Sequence, residues 1–152
     1  MIRRALAADA PQLLSLMRGL ARFEGYDERF AVTVDDLIER GLSPQQAPQF
    51  TAWVAELDGA LVGYAVVYVI PFTFDLRPSV VLKELFIGET ARGRKFGHGL
   101  MDAVIDYAHS INGRLIRWQV LPSNDPAKGF YSQFGARVDN DWENWFIDLD
   151  RR

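Results

Sequence analysis

Residues Ala91–Met101 read ARGRKFGHGLM. Arg92, Arg94 and Lys95 surround Gly93 and lead into Phe96, Gly97, His98 and Gly99, after which Leu100, Val104, Tyr107 and Ala108 recur at helical spacing. Glycine lets a backbone adopt positive φ and approach a ligand closely. The first turn of a helix carries N–H groups with no intrahelical acceptor, and its dipole favours an anion. Arg94 adds the prospect of a charge-assisted bond, and Arg92 and Lys95 raise the local potential. Two readings fit the stretch alone: a phosphate-binding turn, or a Gly-rich turn with solvated basic side chains. Two familiar phosphate motifs fail. Gly88 to Gly93 has Walker spacing but is followed by Arg94-Lys95, where that loop needs Lys then Ser/Thr. Gly97-His98-Gly99 opens a dinucleotide fingerprint, but Asp102 stands where its third glycine belongs.

Outward from this loop, the segment before it, VVLKELFIG, is mostly apolar and predicts a central strand running straight into the turn. The helix after the loop is expected to end near Asn112-Gly113, and RLIRWQVL then predicts a strand that a full helical crossover allows to lie parallel to VVLKELFIG. Upstream, FTAWVAEL and ALVGYAVVYVI flank Asp58-Gly59, a hairpin signal. Ile2–Ala5 suits a short strand. Asp9 is the expected cap of a helix with Pro11 in its first turn, running to about Phe23; Thr33 caps a second, VDDLIERGL. Downstream, a short helix from Pro126 to Phe134 is capped by Asn124 or Asp125, and ARVDNDWENWFIDLD predicts one or two final strands. The order predicts one α/β (α+β mixed) domain over residues 1–152: a mixed, largely antiparallel sheet of six to seven strands flanked by about four helices.

The totals narrow the chemistry. Length 152, apolar content 49% and charged content 24% suit one ordered domain. The formal charge of −3 argues against a nucleic-acid partner. No cysteine is present, which excludes disulfides, thiolate catalysis and zinc–sulfur sites and fits a cytoplasmic location. No metal is expected. No G-x-S-x-G elbow accompanies His98 or His109. No apolar run approaches the roughly 18–20 residues of a membrane span, and the N-terminal stretch is broken by Asp9, Pro11 and Gln12, so it is read as part of the fold.

A second segment decides between the two readings of the loop. SNDPAKGFYSQFGA, residues 123–136, resembles the N-x-x-A-x-x-F/Y-Y-x-x-x-G-A segment of the GNAT superfamily of acetyl-coenzyme A-dependent N-acetyltransferases, with Asn124, Ala127, Phe130, Tyr131, Gly135 and Ala136 in place. RKFGHG is similar to that family's pyrophosphate loop. LARFEGY, VVLKELFI and DWENWFI are similar to its diamine (spermidine/spermine-type) acetyltransferase branch. The family loop often has glycine where Lys95 stands. That branch also tends to carry two acidic residues where this chain has Lys83-Glu84, which counts against a polyamine acceptor.

The resemblance implies transfer of acetyl from acetyl-CoA to the primary amine of a diamine, polyamine or amino-acid-like molecule, by direct attack in a ternary complex. Tyr131 is the implied acid for the departing thiolate. Glu84 is the candidate base through a water, with a structural salt bridge as its other reading. Strand alternation sends Lys83 and Glu84 to opposite faces. The implied cofactor set is Leu85, Phe86 and Ile87 on the strand, Arg92, Arg94, Lys95, Phe96, Gly97, His98 and Gly99 in the loop, and Asn124, Lys128 and Tyr131. Asn124 reads equally as a plain helix cap, and the His98 imidazole as a packed or exposed side chain. Glu24, Asp27 and Glu28 sit in the implied acceptor loop, or form a solvated acidic turn. Trp142 and Trp145 are expected to pack a late strand or a dimer contact, and the family implies a homodimer. A protein N-acetyltransferase of the same fold and a non-catalytic CoA-binding sensor remain as alternatives.

Overall fold

A computed structural model describes residues 1–151. It comprises two compact units, Met1–Trp118 and a second from Gln119 onward. The first holds a five-stranded sheet in the order β1 (Ile2–Arg4), β2 (Thr51–Leu57), β3 (Ala60–Ile70), β4 (Ser79–Ile87), β5 (Leu115–Arg117). The first four strands pair antiparallel with their neighbours, and β4 pairs parallel with β5. Asp58 (φ 52°) and Gly59 (φ 80°) form the expected tight turn between β2 and β3. Two successive positive φ values match the right-handed twist of the strands they join.

Helices cover both faces. Ala52 and Val54 of β2 and Tyr64 and Val66 of β3 bury against Leu13, Leu14, Met17 and Leu20 of α1 (Ala10–Glu24). Thr33 caps α2 (Val34–Leu37) reciprocally with Asp36, and Leu37 and Ile38 extend the same cluster. On the alternate face, Trp53 meets Tyr107 of α3 (Phe96–Ser110) edge-on at 5.3 Å, while Leu100, Met101 and Val104 are buried. Because both faces are covered, β2 is apolar almost without alternation. Gly99 sits where α3 crosses β1: a Cβ there would stand 2.8 Å from Ile2 Cγ1. The second unit contains α4 (Asp125–Ser132).

Three expectations need correction. The sheet has five strands among the described residues, not six to seven. RLIRWQVL pairs only over Leu115–Arg117, and residues 136–150 form no strand. Local bonds occupy the latter segment: the Asp141 N–H donates to Asp139 Oδ1 and the Asp150 N–H to Asp148 Oδ1, both at 3.0 Å. Such Asx contacts compete with a strand ladder for the same donors. Trp142 (80% exposed) and Trp145 (87%) consequently pack no strand. Finally, Asp9 stands at the N-cap position of α1, with Pro11 in the first turn as expected, but its side chain makes no cap bond. Its carboxylate accepts from the Leu6 N–H and, twice, from the Arg3 guanidinium at 2.8 and 2.9 Å.

Candidate active site

The sheet opens next to the glycine loop. β5 pairs with β4 only at Ser79–Val81, so within the first unit no strand follows the outer edge of β4 from Leu82 to Ile87. This leaves the backbone groups of Leu85 and Ile87 on that edge beside the chain's turn into α3, while Phe86, expected in the same row, turns its own toward Tyr64 of β3. Gly93 (φ 81°) and Lys95 (φ 63°) both take the left-handed region there. The first intrahelical bond of α3 runs from the Gly99 N–H to the Lys95 carbonyl, so the amides of Phe96, Gly97 and His98 precede it. Arg94 and Lys95 are exposed. Arg92 is anchored: its Nε donates to the Ile87 carbonyl at 3.1 Å, and its guanidinium lies 5.7 Å from the Phe23 ring centre and 5.8 Å from that of Phe86. It therefore ties the end of β4 to the loop and holds one of the carbonyls expected to face the cofactor.

The centre of β4 departs from regular pleating. Val66 pairs with Glu84 and Val67 with Leu82, so Lys83 is an extra residue on β4. A bulge breaks alternation and re-aims side chains. In consequence Lys83 and Glu84 do not diverge to opposite faces: Lys83 Nζ lies 3.1 Å from Glu84 Oε2. The other carboxylate oxygen, Oε1, accepts from the Tyr64 hydroxyl at 3.1 Å. Tyr64 is fully buried, and burial, then the Glu84 charge, drives its hydroxyl far above the ordinary phenol range, so it remains a donor.

Glu24, exposed at the end of α1, and Tyr26, just past it, lie within electrostatic reach of Glu84. Partial burial, reinforced by the Glu84 charge, pushes the Glu24 carboxyl above its usual range, while Lys83 opposes the shift. Burial, Glu84 and Glu24 together raise the Tyr26 phenol. Of the expected acceptor-side acids, only Glu24 joins this group; Asp27 and Glu28 form an exposed turn after it. Sequence reasoning missed Tyr64 and Tyr26. The signal for Tyr64 was present, since a tyrosine within an apolar strand needs a partner for its hydroxyl.

In the second unit, Asn124 Oδ1 accepts from the Ala127 N–H at 3.2 Å, which makes it the cap of α4. The Lys128 ammonium donates to the Pro122 carbonyl. Tyr131 is half-buried, its ring 5.2 Å from that of Phe130 and edge-on to it. Among the described residues no group of three or more His, Asp or Glu side chains could hold a metal ion, and no helix is long and apolar enough to cross a membrane.

The model of the Acetyltransferase (GNAT) family matches residues 13–136, a span that contains β4, the glycine loop and α4. The chain belongs to the GNAT acetyltransferase family. It is an acetyl-transferring enzyme. It is 26% identical over 153 residues to thialysine N-epsilon-acetyltransferase of Sus scrofa, an alignment covering 95% of this chain and 88% of the relative. It is also 26% identical over 155 residues to spermidine/spermine N(1)-acetyltransferase-like protein 1 of Homo sapiens, covering 96% of this chain and 22% of that longer protein. A GNAT-type fold is seen too in an aminoglycoside acetyltransferase from an uncultured soil metagenomic sample, with TM-score 0.80, 18% identity, and 98% and 95% of the two chains covered. At that identity the likeness concerns the fold.

Proposed function

We propose that this GNAT enzyme transfers acetyl from acetyl-CoA to the primary amine of a small molecule. The observation that carries the reading is the continuity of two features: the open edge of β4 at Leu85–Ile87 and the leading amides of α3. An extended amide-bearing arm can pair with the first while its diphosphate meets the second. Arg94 and Lys95 supply positive charge beside those amides. Asn124 and Lys128 belong to the proposed cofactor set through the family motif. The family model runs through both units, which supports one catalytic domain.

Acetyl-CoA supplies an activated thioester. The protein must then align an amine with it, remove a proton from the ammonium, and return one to the departing sulfur. Glu84 draws the ammonium and accepts its proton through a water. Tyr64 holds the carboxylate in place, and Glu24 adds negative field. Tyr131 gives its phenolic proton to the thiolate, an assignment that rests on the family segment. The small-amine acceptor is supported by relatives named for thialysine and spermidine/spermine. We further propose a cytoplasmic homodimer, in keeping with that branch.

The test is thiol release from acetyl-CoA across a panel of diamines, polyamines and amino acids. Acetylation of at least one of them is expected. Tyr131→Phe should lower kcat by about 10²-fold or more while acetyl-CoA affinity changes little. Equal turnover in that variant would remove Tyr131 from the acid role, and no transfer to any amine would end the small-amine reading.

A further inference from the structure

The bulge in β4 sets a cation against the carboxylate that the proposed reaction needs. Lys83 is more than half exposed, whereas the Glu84 side chain is only 13% exposed, and their charged atoms are 3.1 Å apart. Glu84 Oε1 is already held by the buried Tyr64 hydroxyl. Oε2 is the oxygen that Lys83 occupies. An acceptor ammonium that pairs with Oε2 competes with the lysine for it. What becomes of the displaced ammonium then decides which acceptors bind well.

A dication leaves Lys83 unpaired and adds two positive charges beside it. Like charges brought together in a partly desolvated site are strongly disfavoured. An acceptor that carries both an ammonium and a carboxylate loses nothing in the exchange. Its ammonium engages Oε2 through the bridging water, and Lys83 swings on its four-carbon stem to meet its carboxylate. One internal ion pair is replaced by two with the ligand, and the Lys83–Glu84 pair with lysine or ornithine carries one formal positive charge where cadaverine or putrescine would leave two. Being exposed, Lys83 has the freedom to move. Glu24 lies within electrostatic reach of both groups, raised by Glu84 and opposed by Lys83.

We propose that Lys83 is a specificity-determining residue of this enzyme, a tethered ammonium that selects amine acceptors bearing a carboxylate and rejects dications of the same length. The inference rests on the acyl-transfer reading above and goes beyond it by naming the acceptor's second charge.

The experiment uses pairs of amines that differ only in the carboxylate: lysine against cadaverine, and ornithine against putrescine. The full chain is assayed as wild type, Lys83→Met and Lys83→Glu, and each is checked by thermal melting and acetyl-CoA affinity. The wild type should favour the carboxylate-bearing member of a pair by about tenfold or more in kcat/KM. Lys83→Met should shrink that ratio, and Lys83→Glu should reverse it, with melting and acetyl-CoA affinity unchanged. A scaffolding role would lower both members of a pair equally and leave the ratio alone. A ratio unaltered in both variants, equal loss of both substrates, or transfer confined to amines outside the pairs overturns the role of Lys83 and leaves the acyl-transfer reading standing. Failure of the wild type to acetylate any amine overturns that reading, and this inference with it.

Discussion

Lys95 carries a conflict that one residue can relieve. It begins α3 at φ 63°, where its Cβ crowds the following carbonyl, and no side-chain bond to the helix end compensates. The left-handed region costs an L-residue roughly 1–2 kcal/mol, part of which glycine returns as greater freedom in the unfolded chain. Lys95→Gly is expected to raise the unfolding free energy by about 0.5–1 kcal/mol, measured by denaturant titration. A fall in stability would mean that the lysine stem makes packing contacts worth more than the strain. The same change removes a charge from the loop, so weaker acetyl-CoA binding in a more stable protein would separate the two contributions of Lys95. Gly93, also left-handed, has no such conflict.

At the scale of elements, the β1–α1 connection is fastened by charge. Asp9 takes two bonds from Arg3 and one from the Leu6 N–H, and Arg3 also reaches Glu56 of β2 at 3.1 Å. The Arg3 bonds hold the Asp9 carboxyl below its ordinary 3.8, against an opposing push from burial. Because the folded value is the lower one, this contribution to stability is complete above the unfolded-state value. It fades as pH falls through the folded value. Asp9→Asn should therefore cost about 2 kcal/mol at neutral pH. It should also flatten the decline of stability as pH falls below about 4. Equal slopes in wild type and variant, followed by circular dichroism melts across that range, would show that other carboxylates govern the acid transition.

For the whole molecule, the proposed cofactor site predicts ligand-linked stability. A ligand that binds only the native state at a hundredfold over its Kd adds about 2.7 kcal/mol. For a chain of this size that is roughly 5–10 °C in Tm. Saturating acetyl-CoA is expected to produce such a shift, and CoA a comparable one because the diphosphate and the amide-bearing arm are common to both. No shift with either, in differential scanning fluorimetry, would mean that the chain does not bind this carrier and would count against the proposed cofactor site.

Much of this architecture could be read from local sequence. Asp58-Gly59 specified its hairpin because few residues tolerate two positive φ values in succession. The apolar spacing after Gly99 specified α3, and Asn124 with Ala127 and Tyr131 marked α4 and the family. These are properties of neighbours along the chain, so the chain itself determined them. Tertiary structure decided the rest. Period-two reasoning placed Lys83 and Glu84 on opposite faces. One extra residue, absorbed when β4 registered against β3, brought their charges together and delivered Glu84 to Tyr64, twenty positions away. A register shift depends on which partner strand is available, so no local pattern encodes it. Final strands were expected from an alternation of aromatic and polar residues that also suits an irregular chain. That expectation failed because pairing requires a second strand, and Asp139 and Asp148 draw two of the segment's amides into local turns.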